Sequence, residues 1–147
     1  MNEPKTEHFP QVGVGVVVLN TDNEVLLIRR GQEPNKGLWT IPGGRQKPGE
    51  TLVETAHREI LEETGVTISE PSLIDVVDLI RHDEDGTLIR HYTLVDYAAR
   101  YKNGTPVAGG DADLTRWVPA ATIEEHVEWS ETVRFVREAV EKISAID

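Results

Sequence analysis

The sequence predicts helices packed on a mixed β-sheet within a single domain, and three observations lead there. Short β-branched and apolar runs recur along the chain, the clearest being VGVGVVVL at residues 12–19. Two stretches carry apolar residues at helical spacing, one in the middle of the chain and one at its end. Strands and helices follow one another in a mixed order, which suits helices on a mixed sheet. At 147 residues the chain fits one domain, residues 1–147, with a real core, and no repeat or low-complexity linker divides it.

Residues 1–10 are polar and are expected to be loosely ordered until they join the sheet. Residues 12–19 read as a buried strand. The cluster Asn20-Thr21-Asp22-Asn23 is a turn, and residues 24–30 form a second strand, so the two make a hairpin. Residues 31–36 are a loop and residues 38–41 a short strand, after which Pro42-Gly43-Gly44 turns the chain toward a helix. Beyond the helix come a short strand at 66–68 and two longer strands at 73–81 and 88–100, joined by the turn 82–86. In the second of these, alternation puts Tyr92, Leu94, Asp96 and Ala98 on one face and His91, Thr93, Val95 and Tyr97 on the other. A glycine-rich loop at 103–113 leads to a last strand at 114–118. Residues 121–126 and 130–145 read as helical, the latter with Val133, Val136, Val140 and Ile143 as its apolar stripe.

The central helix is the most informative stretch. Thr51 can act as its N-cap, with Glu54 three residues on completing a capping box. Gly65 stands where a left-handed C-terminal cap belongs. Val53, Ala56, Ile60 and Thr64 mark the core-facing stripe. At about 100° per residue, Glu59, Glu62 and Glu63 fall within roughly one third of the circumference and border that stripe. Like charges so crowded repel one another, and the C-terminal end of a helix disfavours negative charge. A hard divalent cation with oxygen ligands, Mg²⁺ or Mn²⁺, would reverse both penalties. Arg58 precedes Glu62 by four residues and can pair with it and orient it.

The segment GRQKPGETLVETAHREILEETGV resembles the signature of the Nudix hydrolases. Its nine specified positions over twenty-three residues are Gly44, Glu50, Arg58, Glu59, Ile60, Glu62, Glu63, Gly65 and Val66, and every one matches. The resemblance implies an α/β/α sandwich with the signature helix beside the sheet. It implies hydrolysis of a nucleoside diphosphate linked to another group, with metal held by Glu59, Glu63 and Glu62 and by the Gly43 carbonyl. Glu50 ranks below these, as a metal ligand or as a partner of Arg58. Glu62 or a loop acid, Asp111 or Asp113, would orient or deprotonate the attacking water. Arg29 and Arg30 end a strand near the signature loop and present donor forks suited to phosphate. The chain from residue 37 to 118, including WTIPGG and GGDADLTRWVP, is similar to the ADP-ribose pyrophosphatase branch. The proline that marks many such enzymes, about sixteen residues beyond the signature, is absent, and His82 stands there. The mutator-type nucleoside triphosphate pyrophosphohydrolases are the alternative. A non-catalytic nucleotide-binding module is the alternative of another class, though such a module need not keep the full acidic set.

Composition bounds the rest. Without cysteine there is no disulfide, thiolate nucleophile or zinc–thiolate site. The N-terminus has no apolar signal core and no run reaches transmembrane length, so a soluble, intracellular, cytoplasmic protein is expected. A net charge of -11 argues against nucleic acid and anionic membranes as partners, leaving a small nucleotide substrate and a second copy in a homodimer. The five histidines have no metal spacing; His57 is expected on the helix surface, and His82 and His91 either face each other across the hairpin or are solvated. Trp39, Trp117 and Tyr92 are expected in the core.

Overall fold

The computed structural model describes residues 9–146, so the expectation for residues 1–10 lies outside the described residues up to residue 8. The strands are β1 (Gln11–Leu19), β2 (Glu24–Arg30), β3 (Trp39–Thr40), β4 (Gly43–Arg45), β5 (Thr67–Ile68), β6 (Ser72–His82), β7 (Leu88–Asn103) and β8 (Ala112–Pro119). The helices are α1 (Leu52–Thr64), a 3-10 helix (Ala120–Glu125) at the segment expected to be helical, and α2 (Ser130–Ile146). The main sheet path is β3-β2-β1-β7-β5; β4 joins β1, β6 joins β7 and β8 joins β2. The β1·β7 pair is parallel and the others are antiparallel, giving the mixed sheet.

β1 is the axis of the fold. Val14, Val16 and Val18 pack into one core cluster with Ala56 and Ile60 of α1, and Val17 and Leu19 pack into the other with Phe135, Val136 and Ala139 of α2. A strand buried on both faces needs an unbroken apolar run, and that is why its sequence does not alternate. The α/β/α sandwich follows from these two cores, one on each face of the sheet.

The expected hairpin of β1 and β2 closes only at its base, where Leu19 lies opposite Val25. Beyond that point the strands part, β1 to β7 and β4, β2 to β3 and β8. Glycines permit this: a Cβ on Gly43 would collide with the Val14 carbonyl, so only a glycine allows β4 to lie against β1 where a simple turn was expected. Along β6 and β7, Ile80 is opposite His91 and His82 opposite Leu88, so the two histidines do not face each other; an irregularity between Arg81 and His82 shifts the register.

The caps of α1 follow the sequence. The Thr51 hydroxyl accepts from the Glu54 N–H at 3.1 Å, the Glu54 carboxylate accepts from the Thr51 N–H at 2.8 Å, and Gly65 has φ 71°. The buried face differs from the expected stripe: Thr55, Ala56, Ile60, Glu63 and Thr64 are buried, and Leu52 packs on the core where Val53 was expected. α1 is rotated so that one carboxylate of the acidic arc faces inward. On α2, Thr132, Phe135 and Ala139 join Val136 and Ile143 in the core, and Val133 and Val140 pack at its margin.

Candidate active site

The site forms where β4 runs into α1. Glu59, Glu62 and Glu63 occupy the last two turns of the helix, and the glycines of β4 form the floor beneath them. A Cβ on Gly44 would collide with the Glu59 carboxyl group, so that side chain rests directly on backbone. The Gly43 N–H donates to Glu63 Oε1 at 2.8 Å.

Arg58 organises the remaining carboxylates. Its Nε and Nη2 donate to the two oxygens of Glu50, its Nη1 donates to Glu59 Oε1 at 2.6 Å and to Glu62 Oε2 at 3.1 Å, and Nη2 also reaches the Arg45 carbonyl at 2.9 Å. Glu50 therefore takes the arginine pairing that the sequence left open. It further accepts from the Lys47 N–H at 2.9 Å and the Thr55 hydroxyl at 3.0 Å. The Arg58 guanidinium, aided by these donors, holds the Glu50 carboxyl down to about 2. The same partnership raises the Arg58 pKa further.

Glu63 is the opposite case. Burial pushes its carboxyl up to about 7; the Glu59 and Asp111 charges add to this, while the Gly43 N–H and Arg30 oppose it. Among the described residues no group of three or more histidine, aspartate or glutamate side chains is gathered closely enough to hold an ion as it stands. The expected set of Glu59, Glu62, Glu63 and Glu50 is divided: Arg58 draws Glu50, Glu59 and Glu62 to itself, and Glu63 turns to the Gly43 N–H. Mutual repulsion with one nearby cation accounts for that division. Glu62 is the most open of the four, with its side chain 51% exposed.

The glycine-rich loop supplies what the sequence reading missed. Beyond the expected Gly65 cap, whose N–H donates to the Leu61 carbonyl at 2.9 Å, the loop's Val107 N–H donates to Thr64 at 2.8 Å and its Gly109 N–H to Glu63 at 3.0 Å. These donors satisfy the last carbonyls of α1 at the end where its acids are least favoured. The same loop carries Asp111 to the site, anchored by the Gly31 N–H on the Asp111 carbonyl at 2.8 Å. Asp113 points elsewhere: it forms a two-pronged pair with Arg29, at 2.8 and 3.2 Å. Of the two arginines, Arg30 is the one whose charge reaches Glu63, and its Nε donates to the Pro34 carbonyl at 2.7 Å.

Of the aromatics, Trp117 is edge-on to Tyr101 at 5.5 Å and packs on the α1-side core. Trp39 packs on the α2-side core with the Arg116 guanidinium over its ring at 4.3 Å. Another residue was legible only as an oddity: Asp96 is 4% exposed, and its Oδ2 has no partner. An acid inside the run YTLVDYAA was its signal.

The fold and the site together define an α/β/α sandwich with a glycine-floored acidic signature helix. The chain belongs to the NUDIX family, whose domain model matches residues 9–139. It is 37% identical over 95 residues to a protein of Methanocaldococcus jannaschii named ADP-ribose pyrophosphatase, covering 65% of this chain and 54% of that protein. It is 42% identical over 111 residues to the mouse (Mus musculus) protein named 8-oxo-dGDP phosphatase NUDT18, covering 73% of this chain and 32% of that one. Across the first curated relatives the matched region spans from 32% to 62% of their length. Among solved structures, a MutT NUDIX hydrolase from Burkholderia pseudomallei superposes with a TM-score of 0.72 at 26% identity, covering 88% of this chain and 97% of that one.

Proposed function

We propose that this protein hydrolyses the diphosphate bond of a nucleoside diphosphate linked to another group, with ADP-ribose the preferred substrate and Mg²⁺ or Mn²⁺ as cofactor. One observation carries the reading: Glu63 is a buried carboxyl, raised to about 7, set beside the Glu59 and Asp111 charges on a glycine floor. Such a group is unfavourable for stability alone, and perturbed carboxylates in a cluster are the usual mark of a functional site. The donor set fits a hard cation, since Glu59, Glu62 and Glu63 offer only oxygens and Glu50 stays ionised beside them. When bound, the cation supplies charge neutralisation on the diphosphate and a water of lowered pKa.

The chain's own residues do the rest. Arg58 orients Glu59 and Glu62 and is itself fixed by Glu50. Glu62, open to solvent, or Asp111, held by the loop, takes the proton of the attacking water. Arg30 is the better placed of the two arginines to meet a phosphate, because Arg29 is engaged by Asp113. No covalent intermediate is required, which suits a chain without cysteine. The cytoplasm is the setting we assign; no helix among the described residues is long and apolar enough to cross a membrane.

The relative named ADP-ribose pyrophosphatase supports the substrate, and the absent proline at His82 weighs against it. The rival is a mutator-type nucleoside triphosphate pyrophosphohydrolase. The two differ in their products. ADP-ribose gives AMP and ribose 5-phosphate, and a triphosphate cleaved between its α and β phosphorus gives a nucleoside monophosphate and pyrophosphate. Both substrate types are to be assayed at equal Mg²⁺ with products resolved by chromatography. A larger kcat/KM for ADP-ribose than for any common nucleoside triphosphate is expected, and the reverse order would sink the assignment. Hydrolysis of neither would favour the non-catalytic module.

A further inference from the structure

Asp96 lies between Gly15 of β1 and Asp75 of β6 on the α2 face of the sheet. It is 4% exposed, and its Oδ2 has no partner. A carboxyl in such a place costs free energy until something pairs with it. Arg134 of α2 is the cation whose charge reaches it, yet the Arg134 Nε and Nη1 donate to Glu131, Asp75 and Glu138, at 2.6, 2.8 and 2.8 Å.

The core on this face closes at Asp96. Val17 and Ala98, paired on one side of it, are buried, whereas Leu94 and Tyr92 on the other side are only half-buried. β1 has no side chain at Gly13 or Gly15, so its neighbours lie down on its backbone. Leu94 and Tyr92 lie against the place of a Gly13 Cβ, and Asp96 Oδ1 and Ile41 fill the place of a Gly15 Cβ. Gly15 itself keeps part of its surface in solvent. The result is a low apolar shelf, reached from solvent at Gly15 and ended by a carboxyl with a free oxygen. The carboxylate cluster is close. Gly15 lies opposite Gly43, whose N–H holds Glu63, and neighbouring strands are about 4.8 Å apart. β4 is three residues long and, among the described residues, pairs with β1 alone, so the sheet ends there and a nucleotide can pass round that edge.

We propose that Asp96 determines base specificity: the shelf takes the flat face of the substrate's nucleobase, and the Asp96 carboxyl pairs with its polar edge. This deepens the proposed function and rests on its choice of a nucleotide substrate. Burial keeps the carboxyl neutral up to about 7, helped by the Asp75 charge, opposed by Arg134 and helped again by Glu131. A neutral carboxyl offers an O–H donor beside a carbonyl acceptor. Asparagine presents the same pair to the N6 amino group and adjacent ring nitrogen of adenine. A phosphate would meet the Asp75 and Glu131 charges instead. A cation would find both of those acids engaged by Arg134, and among the described residues no three acids are gathered to hold it.

The test compares AMP with ribose 5-phosphate by calorimetry at equal Mg²⁺. Both ligands carry the same phosphate, so the ratio of their affinities isolates the base. The wild type is expected to prefer AMP at least roughly tenfold at about pH 6, and Asp96→Leu to lose most of that preference. Asp96→Asn, which keeps donor and acceptor without ionising, should retain it. Above pH 7 the wild-type preference should fall, because the ionised carboxyl has no donor left, and that of Asp96→Asn should stay level. An undiminished preference in Asp96→Leu would overturn the proposal, as would no preference in the wild type or a fall with pH in Asp96→Asn. A fault of folding alone would weaken both ligands together and leave the ratio unchanged, which also overturns it. AMP held through Asp96 with no cleavage of ADP-ribose would leave the base site standing and remove the assigned substrate. ADP-ribose cleaved by Asp96→Leu at the wild-type kcat/KM would do the reverse.

Discussion

Two buried acids, Glu63 and Asp96, show how one physical effect can serve different ends. Burial raises each to about 7, Glu63 within the carboxylate cluster on α1 and Asp96 on the opposite face of the sheet, where the Asp75 charge adds to the effect. Both ionise near 4 in an unfolded chain. Each raised pKa therefore contributes stability that is fully present below about pH 4 and is lost as the pH climbs to about 7. Asp96→Asn should remove that dependence at its site and raise the melting temperature at pH 8, by roughly 3 °C for each kcal/mol regained. A thermal melt series from pH 4 to pH 8 checks it, and an unchanged pH slope would refute the buried-charge account. Glu63→Gln should share the gain in stability and yet lower kcat by at least about a hundredfold, as expected for lost electrostatic stabilisation. Near-wild-type turnover in Glu63→Gln would remove Glu63 from the mechanism.

At the scale of the element, α1 is held at both ends by different devices. Its start relies on the Thr51–Glu54 capping box, in which Glu59, Glu62 and Glu63 take no part, and Thr51→Ala should cost about 1 kcal/mol without altering kcat. Its end relies on the glycine-rich loop, where a Cβ on Gly109 would collide with the Glu62 carbonyl. Gly109→Ala should therefore cost roughly 1–3 kcal/mol. It should also lower kcat, because the displaced loop carries Asp111 and the displaced helix end carries Glu62 and Glu63. Denaturant titration beside steady-state kinetics separates the two variants; equal kinetics for both would mean that the loop only stabilises.

Across the molecule the site is coupled to folding. Glu59, Glu62 and Glu63 come from one helix, but their environment comes from β4, the loop at 104–111 and the end of β2, so an unfolded chain has no comparable site. Mg²⁺ should therefore stabilise the native state, by about 2.7 kcal/mol when its concentration is a hundredfold above its dissociation constant. The shift should shrink in Glu59→Gln and fade in acid, since protonated carboxyls are poor ligands. Calorimetry with no shift at millimolar Mg²⁺, with or without nucleotide, would count against the metal site.

The sequence by itself determined the longer strands and the two long helices, the caps of α1 and the family signature, because each rests on residues close together in the chain. The unbroken run of β1 and the Thr51, Glu54 and Gly65 caps are local facts. Periodicity placed Glu59, Glu62 and Glu63 on one arc but missed the rotation that buries Glu63 and packs Leu52 against the core. That angle is set by packing against β1 and β4. Only the tertiary structure decided that Arg58 gathers Glu50, Glu59 and Glu62, that Asp113 engages Arg29 across eighty-four residues and that the loop at 104–111 closes α1. These are contacts between distant segments, and their partners are chosen by the way the two faces of a single sheet are covered, which no short stretch of chain encodes.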